Sequence, residues 1–302
     1  MLDVVLVGCG GTVPLKNRWL TACYLRCNGR AMLIDCGEGT QIAIKEAGVS
    51  LYAINAICLT HYHADHISGL PGLLLSLGNE GRTDPLAIYG PVGLKRIVNG
   101  LRVIAPELPF SLELHEYAES QTSLTVGDLS VTAFAVQHTL PCYGYRIQLP
   151  RAGKFDPVRA KHNQIPMAIW STLQKGNAVT YEGVAYSPQQ VLGAPRKGLS
   201  VVYCTDTRPL DRIATMAQGA DLFICEGMYG DASKQDKALE TQHMTFSEAA
   251  QLAKKAAVKS MWLTHFSPSL PEPNEYLADA QAIFAETQCG FDGQRTTLRF
   301  ED

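Results

Sequence analysis

Short apolar runs recur along this chain, each closed by a turn signal. The runs V-V-L-V (4–7), A-M-L-I-D (31–35), A-I-C-L-T (56–60), L-A-I-Y (86–89), L-S-V-T-A-F-A-V (129–136), Y-G-Y-R-I (143–147), S-V-V-Y-C-T (200–205), D-L-F-I-C-E (221–226) and M-W-L-T-H (261–265) have the length and residue types of strands. Between them, apolar positions repeat at helical spacing over 39–47, 68–77, 92–99, 208–217, 245–258 and 274–285. Strands alternating with helices predict an α/β fold with helices outside sheets. The run from Leu129 alternates apolar and polar positions, as expected for a sheet with one more polar face. No internal repeat and no low-complexity stretch interrupts the order.

One segment breaks the rhythm. From Arg146 to Lys197 the pattern is irregular and rich in Pro, Gly, Gln and Tyr, with eight basic residues against two acidic ones, a net +6. The whole chain carries −3, so the rest carries −9. This reads as a basic excursion from an acidic body. The expected organisation is a single domain over 1–302 with an inserted arm, 147–197. The acidic average excludes a surface that attracts nucleic acid everywhere.

Apolar residues make up 46% of the 302 and charged residues 18%, enough for a large core in a soluble globular chain. The start, M-L-D-V-V-L-V-G, carries Asp3 and no basic leader, so it reads as a buried strand and not a signal peptide. No run approaches the ~20 apolar residues of a membrane helix, so no membrane partner is expected. Nine cysteines without a C-x-x-C pair predict free, mostly buried thiols in a reducing, cytoplasmic setting.

The chemistry concentrates in T-H-Y-H-A-D-H, Thr60 to His66, which holds three of the chain's eight histidines. In an extended segment, residues two apart point the same way, so His61 and His63 can reach one metal ion. Asp65 and His66 follow at the start of the apparent helix I-S-G-L-P-G-L-L-L-S-L, where the turning chain can face them to a second ion. Imidazole with carboxylate suits zinc, manganese or iron. Three other apolar runs end in ligand-type residues: His138, Asp206 and His265. Taken singly, each is an ordinary strand-end cap. Together with the cluster they form a set, because ligand sites in α/β proteins gather at the carboxyl ends of strands.

H-x-H-x-D-H followed by a lone His, a lone Asp and a final His resembles the metallo-β-lactamase superfamily over nearly the whole chain. The resemblance implies a four-layer αβ/βα sandwich and two divalent metal ions per chain, zinc foremost. It implies that His61, His63 and His138 hold one ion, that Asp65, His66 and His265 hold the other, and that Asp206 bridges them. Four stretches are similar to the ribonuclease Z family of tRNA 3′-endonucleases: G-C-G-G-T-V-P-L-K-N-R (8–18), L-I-D-C-G-E-G-T-Q (33–41), D-L-F-I-C-E-G-M-Y (221–229) and Q-H-M-T (242–245). That likeness implies a precursor-tRNA substrate and catalytic roles for Asp65, Glu226 and His243. Asp65 would take a proton from the attacking water, and His243, oriented by Glu226, would serve the leaving 3′ oxygen. Lys16 and Arg18, from the P-x-K-x-R pattern, would bind phosphates or the tRNA 3′ end.

The basic arm resembles the tRNA-gripping arm of that family, with I-P-M-A-I-W where a Gly-Pro turn is usual, and Trp19 stands where the family often has Asn. The family is commonly dimeric, so a homodimer is one expectation. Other readings are a hydrolase of small phosphodiesters, such as cyclic nucleotides, or of lactones, and a non-catalytic RNA-binding protein on the same fold.

Overall fold

The computed structural model describes residues 1–301. In chain order it contains β1 (Leu2–Gly8), β2 (Ala22–Cys27), β3 (Arg30–Ile34), α1 (Thr40–Glu46), β4 (Ile54–Cys58), α2 (Ala64–Ile67), α3 (Leu70–Asn79), β5 (Leu86–Pro91), α4 (Leu94–Leu101), β6 (Leu112–Tyr117), β7 (Gln121–Val126), β8 (Leu129–Val136) and β9 (Cys142–Arg151). Then follow α5 (Pro157–His162), α6 (Trp170–Gln174), β10 (Val179–Tyr181) and β11 (Val184–Tyr186). The remainder is β12 (Arg196–Cys204), α7 (Asp211–Ala217), β13 (Leu222–Glu226), α8 (Gln235–Thr241), α9 (Phe246–Ala256), β14 (Met261–Thr264), α10 (Leu277–Ile283), β15 (Thr287–Cys289) and β16 (Gln294–Leu298).

Two compact units result: Met1–Gln148 with Ser200–Arg299, and Leu149–Leu199 with the C-terminal residues from Phe300. The larger unit is an αβ/βα sandwich. One sheet runs β16-β1-β2-β3-β4-β5-β6 and the other β15-β14-β13-β12-β9-β8-β7. The runs that alternate with helices pair in parallel, β3 to β6 and β12 to β15. The consecutive strands β7, β8 and β9 form an antiparallel meander. Val5 and Val7 of β1 join Ile44, Leu73, Leu74, Leu77 and Val98 in a core under α1, α3 and α4. Val4 and Leu6, one step out of phase, are equally buried but lie outside that core, as side chains on opposite faces of a strand must. The sheets meet where the Tyr145 hydroxyl donates to the Leu59 carbonyl at 2.6 Å.

The expected helix over 68–77 differs in one respect that matters for the site. Asp65 and His66 do not begin it but occupy a separate turn, α2, and the long helix starts at Leu70. Gly69 is the break. A Cβ there would lie 2.0 Å from the Gly37 carbonyl, so the chain can pass the Cys36–Gly37 turn only with glycine. Pro71 then sits in the first turn, where its missing N–H costs nothing.

The smaller unit has its own core of Ala160, Ile165, Ile169, Leu173 and Val191, covered by Phe155, Trp170 and Tyr181. Asp156 caps α5 by accepting from the Val158 and Arg159 amides. Trp170, at the end of the I-P-M-A-I-W stretch, packs its ring 5.1 Å from Phe155 and donates to the Ile165 carbonyl. All nine cysteines are free, and eight are buried. No helix is long and apolar enough to cross a membrane among the described residues.

Candidate metal centre

The ligand-type residues stand just past strand ends. His61 follows β4, His138 follows β8, Asp206 follows β12 and His265 follows β14. Asp206 and His265 have left-handed backbones, φ 55° and 58°, as does Asp35 after β3 at 60°. Such turns cost of order 1–3 kcal/mol each and persist only where the surroundings enforce them. Here they swing each side chain off the strand axis into one space. The N-terminal loop makes room: a Cβ on Gly11 would fall 2.8 Å from the His265 ring.

Two donor sets converge. In the first, His61 Nε2 lies 2.9 Å from His63 Nδ1, and His138 Nε2 lies 3.2 Å from His63 Nδ1. Asp206 Oδ1 is 3.7 Å from the His61 and His138 nitrogens. In the second, His66 Nε2 is 3.1 Å from His265 Nε2, and Asp65 Oδ2 is 3.2 Å from His265 and 3.6 Å from His66. Asp206 Oδ2 completes it at 3.1 Å from His66 and 3.4 Å from His265. Four ligands about 2.05 Å from a tetrahedral ion stand about 3.3 Å apart, and both sets scatter around that edge. One carboxylate, Asp206, gives an oxygen to each.

The protonation chemistry fits a cation as well. Burial holds the pKa values of His61, His63 and His138 below the ordinary value, leaving them neutral with lone pairs to offer. Burial would raise Asp206 and Asp65, but the facing histidines outweigh it and keep both ionised. Burial would likewise strip His66 of its proton, yet Asp206, Asp35 and Asp65 push its pKa well up. Three buried carboxylates thus draw positive charge to this point, and Asp206 Oδ2, though 3.1 Å from His66 Nε2, has no partner in hydrogen-bond geometry. Converging lone pairs and unneutralised carboxylates are the mark of a divalent-metal site.

A layer behind the donors orients them. Asp35 accepts from His66 Nδ1 at 2.8 Å and from the Thr60 amide and hydroxyl, which directs the other His66 nitrogen inward. Thr60 Oγ1 faces His61 Nδ1 at 3.0 Å, and the Gln242 carbonyl faces His138 Nδ1 at 3.3 Å. The Thr12 amide donates to Asp65 Oδ2 at 2.6 Å.

Glu226 and His243 come together beside this cluster. Glu226 is fully buried at the end of β13 and accepts from His243 Nδ1 at 3.0 Å, the Met244 amide at 3.1 Å and the Thr207 amide at 2.5 Å. Burial disfavours a charged His243, but Glu226, with Asp206 beyond it, raises its pKa to about 9. Arg208 bonds the His243 carbonyl and the Glu248 carboxylate, so D-T-R at 206–208 serves three tasks in a row. Thr207, Arg208, Glu248 and Asp35 were missed from sequence. Only Asp35 left a trace, a carboxylate ending an otherwise apolar run.

A cavity of about 530 Å³ opens over the site, lined by Thr12, His63, Asp65, Asp206, His243 and His265 among others. Lys16 and Arg18 do not line it. Arg18 gives its guanidinium to the Leu270 and Pro271 carbonyls at 2.8 and 2.7 Å and lies over the Phe266 ring, while Lys16 is exposed. Lys237 lines the cavity unforeseen.

Fold and site together define a metal-dependent hydrolase of the metallo-β-lactamase fold. Two family models match, "Anti-Pycsar protein Apyc1" over residues 2–148 and "Beta-lactamase superfamily domain" over 188–266. The "Ribonuclease Z" of Lachnoclostridium phytofermentans is 53% identical over 301 residues, 100% of this chain and 99% of its own length. That of Lachnospira eligens is 54% identical over 302 residues with the same coverage. The crystal structure of human tRNase Z, short form, superposes with a TM-score of 0.69 at 25% identity, over 99% of this chain and 100% of that one. The chain belongs to the ribonuclease Z family.

Proposed function

We propose that this chain is a tRNA 3′-processing endonuclease that removes the 3′ trailer from precursor tRNA by metal-dependent hydrolysis of one phosphodiester. One observation carries the reading. His63, Asp65, Asp206 and His265, drawn from the two donor sets that share Asp206, line the same cavity as His243, which Glu226 holds from behind. Full-length relatives named ribonuclease Z support the choice of substrate.

The donors fit two divalent ions, zinc first, with manganese or iron as alternatives. His61, His63 and His138 would hold one, Asp65, His66 and His265 the other, and Asp206 both. When bound, such a pair polarises the phosphodiester and makes water a competent nucleophile at neutral pH. The remaining steps belong to side chains. Asp65, fixed through Oδ2 by the Thr12 amide, takes the water's proton on its other oxygen. His243, kept protonated by Glu226, gives a proton from its free ring nitrogen to the leaving 3′ oxygen. The products are a 3′-hydroxyl on the tRNA and a 5′-phosphate on the trailer.

The arm binds the body of the RNA. Lys154, Lys161 and Lys175 are exposed on it, and release of phosphate counterions supplies the affinity. Lys16 contacts phosphate near the 3′ end, while Arg18 fixes the loop that carries it. The enzyme works in the cytoplasm as a homodimer, which light scattering on the pure protein tests.

The deciding assay runs a trailer-bearing precursor tRNA beside bis-p-nitrophenyl phosphate with the same metal-loaded protein. A single metal-dependent cut at the tRNA 3′ end is expected. Hydrolysis of the small diester without that cut would remove tRNA and leave a hydrolase of small phosphodiesters.

A further inference from the structure

A second cavity, of about 250 Å³, adjoins the first; Met228, Tyr229 and Lys237 line both. Its remaining walls include Lys234, Ser269, Leu270 and Tyr276. Nothing in the metal chemistry uses these residues. We propose that this cavity is a nucleotide subsite, which takes one unpaired nucleotide adjoining the cleaved bond by stacking its base on Tyr276 and meeting its phosphate with Lys234 and Lys237. The proposal rests on the RNA-cleaving reading above and says where the strand runs beside the cut.

Three observations support it. The first is chemical. The cavity offers a half-buried aromatic side chain and two ammoniums, a combination that suits a base and its phosphate. Neither lysine makes a salt bridge among the described residues. The one lining carboxylate, Asp231, spends an oxygen on the Ser233 amide, so the lysines leave the cavity a net positive charge. Lys237 Nζ stands 5.8 Å from the centre of the Tyr229 ring, which holds it at the boundary between the two cavities.

The second is rigidity. A Cβ on Gly230 would lie 2.6 Å from the Tyr276 ring, so that ring is seated directly on the Gly230 backbone. The Tyr229 amide donates to the Met244 carbonyl, and the Phe246 amide donates to the Tyr229 carbonyl. The cavity wall is thereby bonded to the segment that carries His243. A nucleotide held in the subsite is registered against the group that serves the leaving oxygen.

The third gives Arg18 a task. Its guanidinium grips the carbonyls of Leu270, which lines the cavity, and of Pro271 next to it. The P-x-K-x-R loop therefore braces a wall residue of this subsite, and Arg18 is a positioning residue with no contact to RNA.

The test places 2-aminopurine in a short single-stranded RNA, either just 5′ or just 3′ of the scissile bond, and mixes it with the metal-loaded protein in a stopped-flow fluorimeter. Quenching on binding at one of the two positions is expected, and that position names the nucleotide held. Tyr276→Ala should abolish the quench and raise KM for precursor tRNA roughly tenfold with a smaller change in kcat, while Tyr276→Phe, which keeps the stacking face, restores both. A quench at neither position, or a wild-type KM in Tyr276→Ala, overturns the subsite. Loss of fold in the alanine variant is read by its melting temperature, and Lys234→Ala then repeats the KM test from a surface position. A wild-type protein that cuts no precursor tRNA yet quenches the short RNA would sink the tRNA reading and leave the subsite standing.

Discussion

In the larger unit, Asp35, Glu226 and Glu248 are buried carboxylates whose oxygens are all engaged, each by groups from other parts of the chain. In the arm, Lys154, Lys161 and Lys175 point their charge at water around a small apolar core. The two regions are polar in opposite senses. A buried charge is costly unless satisfied, so it must be fixed by partners and its removal is severe. An exposed charge acts through the sum of its field, is screened by salt and is individually replaceable. The larger unit fixes its charged groups by several bonds each. The arm needs only sign and reach.

The strongest break in that comparison is Asp65→Ala. It removes a donor to the second set and the group assigned to the water's proton. We expect at least a ~10³-fold loss of turnover on precursor tRNA and on bis-p-nitrophenyl phosphate alike, with fewer bound ions by elemental analysis and unchanged far-UV circular dichroism. Normal turnover in the folded variant would refute the assignment.

His243→Ala sharpens it. A leaving 3′ alkoxide needs a proton, whereas p-nitrophenolate leaves without one. The variant should lose ~10²–10³-fold in kcat on precursor tRNA and little on the small diester. Equal losses would mean that His243 supports the metal site. The pH profile adds a second readout. Because Glu226 raises the pKa of His243, the protonated form persists through neutral pH and is lost as pH rises through that pKa. Glu226→Gln takes away the raising charge, so the alkaline limb of kcat should move to lower pH.

Much of this was legible in the chain. Each apolar run read as a strand became one, and His61, Asp206 and His265 all follow strands that pair in parallel, while His138 joins them from the end of β8 in the antiparallel meander. His61 and His63 share a direction because the backbone there is extended. Three of the strands that escaped notice carry polar residues at alternate positions: L-E-L-H-E-Y of β6, Q-T-S-L-T-V of β7 and Q-R-T-T-L of β16, the outermost strand at one edge of its sheet. β10, β11 and β15 are three residues each, too short for a pattern, while the buried run A-C-Y-L-R-C of β2 was missed although it is apolar. Helix α8, Q-D-K-A-L-E-T, is one short polar stretch with a single buried residue, too little for a periodicity to appear. The orienting residues were hidden for another reason. Arg208 and Glu248 meet across 40 positions and Asp35 and His66 across 31, and no local pattern encodes such a pairing.

Asp35→Asn tests that hidden layer. The amide keeps the shape but loses the charge that orients His66, so metal affinity should fall about 10- to 100-fold with activity restored at high metal concentration. Unchanged affinity in a metal-buffered titration would make Asp35 a purely structural bond.

The smallest effect belongs to the arm, and it is the one that separates the two kinds of polarity most cleanly. Replacing Lys154, Lys161 or Lys175 singly by Ala leaves the arm's core untouched, since none of the three belongs to it. If a lysine lies on phosphate, its loss lowers the slope of log affinity against log salt by about 0.7 to 0.9, the mark of one fewer released counterion. Affinity for precursor tRNA should then fall only a few-fold at moderate salt, with kcat and small-diester hydrolysis unaffected. The double and triple replacements should add, because exposed charges that share no partner act independently. A single replacement that instead cost more than ~100-fold, or that changed kcat, would place that lysine among the fixed groups of the reaction and erase the division of labour between the two regions.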